Sequence, residues 1–391
     1  MKAGNQSTLK LNNQRVILDY IIKNGPTSRS ELAKNLGISK PTISTNVNYL
    51  IENKVLLEEG FHSPIVGKKG VLLHFNKNRN YIVVCDFISD IENENTVISV
   101  CNLNYEEILT CRLNISLDLT CENFNYIINC KLIGTLTTNN IPLDMISSVV
   151  ISTPGVVADN GLAFKIETGD IFDLSEICNK HFKDKVILKN DIKLATIAEN
   201  HIGLGSNYEN LAFIWSGVAL NSGLILNNEI YDGTNYAAGE IGLLLATSPL
   251  TLETCLLGEI ASINGLLYHL NKSERIPENS LIFSKVNRNT LIFDDIINAV
   301  NLSDTFCLNL IKSIGKEFGK ALYNLSLSFD LQALILSGDF FKLGDVLIDE
   351  INSILSLNPL NNVKIELSEI HHGIILGGYT IGVQNTIAKL I

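Results

Sequence analysis

The chain has 391 residues, 46% of them hydrophobic and 18% charged, which is more than one ordinary domain and enough apolar material for two or three cores. No apolar run follows the basic start, and the eight cysteines contain no CxxC pair. The most apolar stretch, residues 211–226, is broken by Ser216, Asn221 and Ser222. These features argue against a signal peptide, a membrane span, a zinc ribbon and a disulfide scaffold, and make a reducing cytoplasm the expected location.

The net charge of −11 is unevenly divided: residues 1–75 hold ten Lys/Arg against five Asp/Glu, which leaves −16 on the rest. A basic head on an acidic body fits a nucleic-acid-binding module joined to a body that repels nucleic acid. Within the head, Val16, Ile17, Tyr20 and Ile21 recur at helical spacing and predict a first helix over 12–23, ended by Gly25-Pro26. Ser28 and Glu31 are spaced as a capping box and open a second helix through Leu36. Gly37 permits a tight turn, and Ser39 is placed to cap a third helix over 40–53, with Pro41 tolerated in its first turn. Ile43, Val47 and Leu50 form the inward stripe of that helix, so Lys40, Thr42, Ser44, Thr45 and Asn48 are left to meet base edges and phosphates. Residues 55–57 and 71–73 read as strands flanking a wing that carries Lys68 and Lys69. The head is thus expected to be a winged helix-turn-helix over 1–78. Three helices alone would also suit an interaction domain; the wing and the positive charge favour DNA.

From residue 79 to 391 strand-like and helix-like stretches alternate, which is α/β organisation. Strands are expected at 81–87, 96–101 and 108–113, a helix over 123–139, and a buried strand at 146–151 that runs into Thr153-Pro154-Gly155. Residues 186–188 lead to Asn190-Asp191 and a helix through Asn200. Residues 211–215 and 223–226 read as strands, 303–328 as a long amphipathic helix, and 334–336 as a strand ending at Gly338. Three early strands followed by βα units, in two halves, suit a two-lobed actin/hexokinase-like (ribonuclease H-like) domain, its second lobe beginning near 192.

The segments Ile151-Ser152-Thr153-Pro154-Gly155, Leu188-Lys189-Asn190-Asp191 with Ala195 and Glu199-Asn200, Ala238-Gly239-Glu240-Ile241-Gly242 and Leu334-Ile335-Leu336-Ser337-Gly338 occur in an order and spacing similar to the ROK family of repressors and sugar kinases. The winged helix in front resembles that family's repressor branch. The resemblance maps the catalytic base of the kinases onto Asp191, and sugar-hydroxyl contacts onto Asn190 and Glu240. An Asn-Asp pair at a strand-to-helix junction also serves as a plain N-cap, and Glu240 also fits an ordinary loop carboxylate.

The same resemblance implies that nucleotide chemistry has been lost. The family's first phosphate loop, Asp followed by Gly-Gly-Thr, reads here Asp86-Phe87-Ile88-Ser89-Asp90. Its Gly-Thr-Gly-Ile-Gly loop reads Gly217-Val218-Ala219-Leu220-Asn221, and its late Gly-Gly reads Gly338-Asp339. A phosphate cradle needs backbone N–H groups at close approach, which bulky side chains prevent. The family's zinc-binding His is Leu243 here, and the following stretch holds only Cys255, so neither a metal site nor a cofactor is expected. The resulting expectation is a repressor without catalytic residues that binds double-stranded DNA as a homodimer or dimer of dimers and senses a sugar through Asn190, Asp191 and Glu240. The rival is an ATP-dependent sugar kinase with an appended DNA-binding head.

Overall fold

Capping decides where the N-terminal helices begin, and the computed structural model shows each cap in place. It describes residues 4–62, 70–90, 95–114, 121–158, 162–164, 171–173, 182–357, 360 and 362–390. Helices α1 (Gly4–Asn24), α2 (Arg29–Leu36) and α3 (Lys40–Glu52) follow one another. The Ser28–Glu31 capping box is closed in both directions, and the Ser39 hydroxyl accepts from the Thr42 amide. Helix α1 starts eight residues before its expected position. Residues 8–12 are solvent-exposed, Leu9 and Leu11 included, so no inward apolar stripe marks that stretch. Its inward stripe is Gln14, Ile17, Leu18 and Ile21, at i, i+3, i+4 and i+7, whereas Val16 is 45% exposed.

Strands β1 (Thr27–Ser28), β2 (Leu56–His62) and β3 (Gly70–Phe75) complete the winged helix in the order β1-β3-β2. The antiparallel pairing Leu56↔Phe75 through His62↔Gly70 is the base of the expected wing. Lys68 and Lys69, expected at its tip, lie outside the described residues. Ile17, Leu32, Ile43, Val47, Leu50, Leu56 and Leu73 close this core, each fully buried side chain contributing about 1.5–3 kcal/mol. Ile387 and Leu390 of the C-terminal helix Gly373–Leu390 pack against it.

The chain divides into two compact units, one of Met1–Ile151, Leu174–Ile187 and Tyr379–Ile391, the other of Ser152–Asp173 and Leu188–Gly378. In the first, β4 (Tyr81–Asp90), β5 (Asn95–Asn102) and β6 (Glu107–Asn114) are the three successive strands expected, and they form an antiparallel meander. Strand β7 (Ile146–Thr153) lies on the other side of β4, and Val186–Asn190 lies beyond it. The helix expected over 123–139 is a run of Cys121–Tyr126, a π segment Ile127–Leu132, and Ile133–Thr138. Its buried side chains are Phe124, Ile127, Ile128, Leu132 and Leu136. The four-residue steps from Ile128 to Leu136 drift around a 3.6-residue helix, and the wider π turn offsets that drift.

The second unit repeats the strand order of the first. Leu211–Ser216 is central, with Leu220–Leu226 and Glu229–Ile230 antiparallel on one side and Ala333–Ser337 and Lys364–Leu367 parallel on the other. The strand expected at 223–226 begins three residues earlier. The long helix Thr305–Phe329 turns Leu310, Ile314, Phe318 and Leu322 into the largest core of this unit. Among the described residues no helix is long and apolar enough to cross a membrane.

Helix Asp191–Ile202 carries the Asn-Asp segment at its N-terminal end and packs against the start of helix Gly373–Leu390. A Cβ on Gly377 would overlap the Leu194 carbonyl oxygen, a backbone atom with no freedom to move aside. Alanine in a helix interior normally gains about 1 kcal/mol over glycine. At this position Gly377→Ala is expected to destabilise by about 1–3 kcal/mol, measured by thermal unfolding. An unchanged or raised Tm would show that the two helices can separate freely.

Candidate functional site

Two groups of polar side chains are placed by these elements, one on the winged helix and one at the head of helix Asp191–Ile202. On α3, Lys40, Thr45 and Asn48 are exposed, and Thr42 and Ser44 are half-buried, so all five expected DNA contacts lie at the surface. Two of the hydroxyls have local partners. Thr42 Oγ1 lies 2.8 Å from Ser39 Oγ, and Thr45 Oγ1 donates to the Pro41 carbonyl at 3.0 Å. Asn48 is engaged from outside its helix: Arg29 Nη1 donates to its Oδ1 at 2.8 Å, while Arg29 Nη2 meets Glu58 Oε1 at 2.8 Å. Arg29, Ser30, Lys40, Ser44, Glu58 and Val71 line a groove of about 350 Å³ on this face.

Sequence reasoning missed Arg29 and Glu58, because they meet Asn48 and each other over 19 and 29 residues of chain. One local sign existed. Arg29 occupies the first turn of α2, where a cation opposes the helix dipole and so has to be retained for something else.

The second group centres on Asn190. It is the N-cap of helix Asp191–Ile202: its Oδ1 accepts from the Lys193 amide at 3.0 Å, and its Nδ2 donates to the Gly155 carbonyl at 2.8 Å. Both ends of the amide are thus used within the protein, which joins the Thr153-Pro154-Gly155 turn to the helix. The capping role considered for the Asn-Asp pair belongs to Asn190, not to Asp191. Asp191 is the first helical residue, and its Oδ1 accepts from the next amide, Ile192 N, at 2.8 Å.

Glu240 reaches this group through Lys193. The Lys193 side chain, 5% exposed, lies 2.8 Å from Asp232 Oδ1, and its Nζ donates to the Tyr236 carbonyl at 2.8 Å. Lys189 Nζ meets Asp232 Oδ2 at 2.6 Å. Burial pushes the Lys193 ammonium below the ordinary lysine value, and Lys189 adds to that; Asp232 and Glu240 oppose it. Burial opposes charge on Asp232 as well, but hydrogen bonds from Lys189 and Lys193 prevail and hold its carboxyl below the usual range. With its amide nitrogen turned toward the carboxylate, Asn221 donates to Glu240 Oε2 at 2.7 Å.

The turn that carries Glu240 depends on its flanking glycines. Gly239 has φ +95°, and a Cβ there would overlap the Ser222 carbonyl oxygen, just as one on Gly242 would overlap that of Leu220. The Gly-Glu-Ile-Gly motif therefore lies directly on strand Leu220–Leu226. Lys189, Lys193, Asp232 and Asn221 were not singled out as site residues in the sequence. Lys189 and Lys193 meet Asp232 across 43 and 39 residues, and Asn221 meets Glu240 from a different strand, beyond the reach of a local pattern.

The positions mapped onto phosphate loops have other occupants. Phe87 is buried, with its ring centroid 4.6 Å from that of Phe124, inside the first unit's core. Leu220 is buried in the second unit's core, and Asn221 faces Glu240. Gly338 keeps its positive φ, +100°.

The fold has counterparts in known proteins. A model described as the ROK family matches residues 123–373, and one described as winged helix-turn-helix DNA-binding matches residues 11–56. The xylose repressor of Bacillus subtilis (strain 168) is 26% identical over 379 residues, spanning 94% of this chain and 89% of the repressor. The crystal structure of an ROK family transcriptional regulator, described as a homologue of the E. coli MLC protein, superposes with a TM-score of 0.77 at 17% identity over 97% of each chain. The ROK hexokinase from Thermus thermophilus superposes with a TM-score of 0.61 at 16% identity, over 79% of this chain and 99% of the hexokinase.

The ion cluster is open to a stability test. Asp232→Asn leaves the Lys193 ammonium buried with its counter-charge removed. It is expected to cost about 2–4 kcal/mol, less than for a wholly buried pair because a quarter of the Asp232 side chain is exposed. Lys193→Met, which removes the charge and keeps the stem, should cost about 1 kcal/mol or less. The double variant should be more stable than the sum of the two changes by about 1–3 kcal/mol. Additive losses in thermal unfolding would mean that the two charges do not depend on each other.

Proposed function

The chain belongs to the ROK family, and on that premise we propose that it is a DNA-binding transcriptional repressor whose ROK body senses a sugar or sugar derivative. Residues 1–78 form the DNA-binding part and 79–391 the sensing part, and the protein acts in the cytoplasm as a dimer on paired half-sites. The observation that carries the reading is a capped recognition helix with Lys40, Thr42, Ser44, Thr45 and Asn48 at its surface, joined to an ROK body. Lys68 and Lys69 in the wing would add phosphate contacts.

In the body, Asp191 and Glu240 are the ligand acceptors, and Asn190 holds the helix that presents Asp191. Phe87 and Leu220, packed where the kinases have phosphate loops, support a body without ATP chemistry. Full-length similarity to a xylose repressor makes xylose the first compound to try, ahead of hexoses and amino sugars. A sugar that binds one arrangement of the protein more tightly than the other would shift DNA affinity by that difference.

The test uses the full-length chain. Selection from a fully randomised duplex library is expected to enrich one motif, and a sugar from a panel beginning with xylose should release the enriched duplex. Asp191→Ala should abolish that release. Lys40→Ala should weaken all duplexes alike and reduce the slope of log affinity against log salt by about 1. Selection that enriches no motif would rule out a regulator, and ADP release with a sugar that disappears on Asp191→Asn would establish a kinase.

A further inference from the structure

We propose that Arg29 determines base specificity at second hand, by fixing which atoms of Asn48 face the DNA. The inference rests on the reading of α3 as the recognition helix. A guanidinium has donors only, so the Asn48 atom that meets Arg29 Nη1 at 2.8 Å is the amide oxygen. Asn48 itself is exposed at the surface of α3. That bond takes one of the two lone pairs of Oδ1 and holds the oxygen toward Arg29, which leaves the two hydrogens of Nδ2 on the side of the amide away from Arg29.

That choice matters in the major groove. An unencumbered Asn pairs with adenine by accepting from N6 and donating to N7, which takes both ends of the amide. An Asn whose oxygen is held against an arginine is not free to turn that oxygen to N6, and meets a base edge with its donating half. The base edge that suits it has neighbouring acceptors, and guanine presents two, N7 and O6. Arg29 thus turns Asn48 from an adenine reader into a guanine reader.

Glu58 is what keeps Arg29 in place. A carboxylate on a DNA-binding face repels phosphate, yet Glu58 on β2 meets Arg29 Nη2 at 2.8 Å while Nη1 holds Asn48. The planar fork spans both partners at once, and a lysine ammonium does not reproduce that geometry. Arg29 and Glu58 are each partly exposed, with side-chain exposures of 32% and 40%, so the pair contributes little to stability and its effect is to orient.

The experiment repeats selection from a randomised duplex library with the full-length wild type, Arg29→Ala, Arg29→Lys and Glu58→Ala. Anisotropy titrations then use the wild-type consensus duplex and its guanine-to-adenine variants. The wild type is expected to prefer guanine at one position of each half-site. In Arg29→Ala that preference should fall about tenfold or pass to adenine. Arg29→Lys should restore the salt dependence of binding but not the base preference, and Glu58→Ala should lose part of the preference without touching Asn48. If Arg29→Ala does not fold, the latter two variants carry the comparison.

A uniform loss of affinity across all duplexes, with the guanine-to-adenine ratio unchanged, would make Arg29 a phosphate contact and overturn the proposal while leaving the repressor reading intact. A wild-type consensus with adenine where Arg29→Ala changes nothing would overturn it too. Failure of the wild type to enrich any motif would remove the repressor reading, and this proposal with it.

Discussion

Helix Asp191–Ile202 is held by backbone rather than by side-chain bulk, and the sensing half of the molecule is organised around that constraint. At its N-terminal end Asn190 satisfies the Lys193 amide and reaches across to the Gly155 carbonyl, so one amide group serves as cap and tie. Along its side, Gly377 brings helix Gly373–Leu390 against the Leu194 carbonyl. With helix and turn fixed in this way, Asp191 and the Lys193 ammonium have little freedom, and Lys193 in turn draws in Asp232 and Tyr236 on the way to Glu240.

The Lys193 cluster and the winged helix use the same device in different chemistry. In each, a long cationic side chain is anchored by a carboxylate and fixes a second polar group. Lys193, paired with Asp232, secures the turn leading to Glu240. Arg29, paired with Glu58, secures the Asn48 amide. The two pairs differ in burial and therefore in what they affect. The first is nearly closed off from water, where an unmatched charge is costly and stability depends on it. The second is half open to solvent, where an ion pair is worth little and its consequence is directional.

The retained and replaced segments of the ROK pattern separate along physical lines. Gly239 and Gly242 allow the turn bearing Glu240 to lie on strand Leu220–Leu226, a packing requirement that holds whether or not a phosphate is bound. Where the resemblance places phosphate loops, bulky residues have moved into the cores: Phe87 packs on Phe124, and Leu220 is buried beneath its strand. What persists is the scaffold around Asn190, Asp191 and Glu240.

Much of the architecture was legible locally. The Ser28–Glu31 box, the Ser39 cap, the three short strands β4 to β6 and the apolar run of β7 are signals contained within a few residues, and the structure forms each of them. The first turns of α1, the π segment and the two-residue β1 were not legible: an exposed helix has no apolar stripe, a four-residue spacing resembles an ordinary helix, and two residues make no period. The candidate sites divide the same way. The residue types at Asn190, Asp191, Glu240 and Asn48 follow from motif and helix face, but their hydrogen-bonding states do not. That the Asn190 amide also ties to Gly155, and that the Asn48 oxygen is turned to Arg29, was decided only by tertiary structure. Those two partners approach from elements 35 and 19 residues away, where no periodicity or capping rule extends.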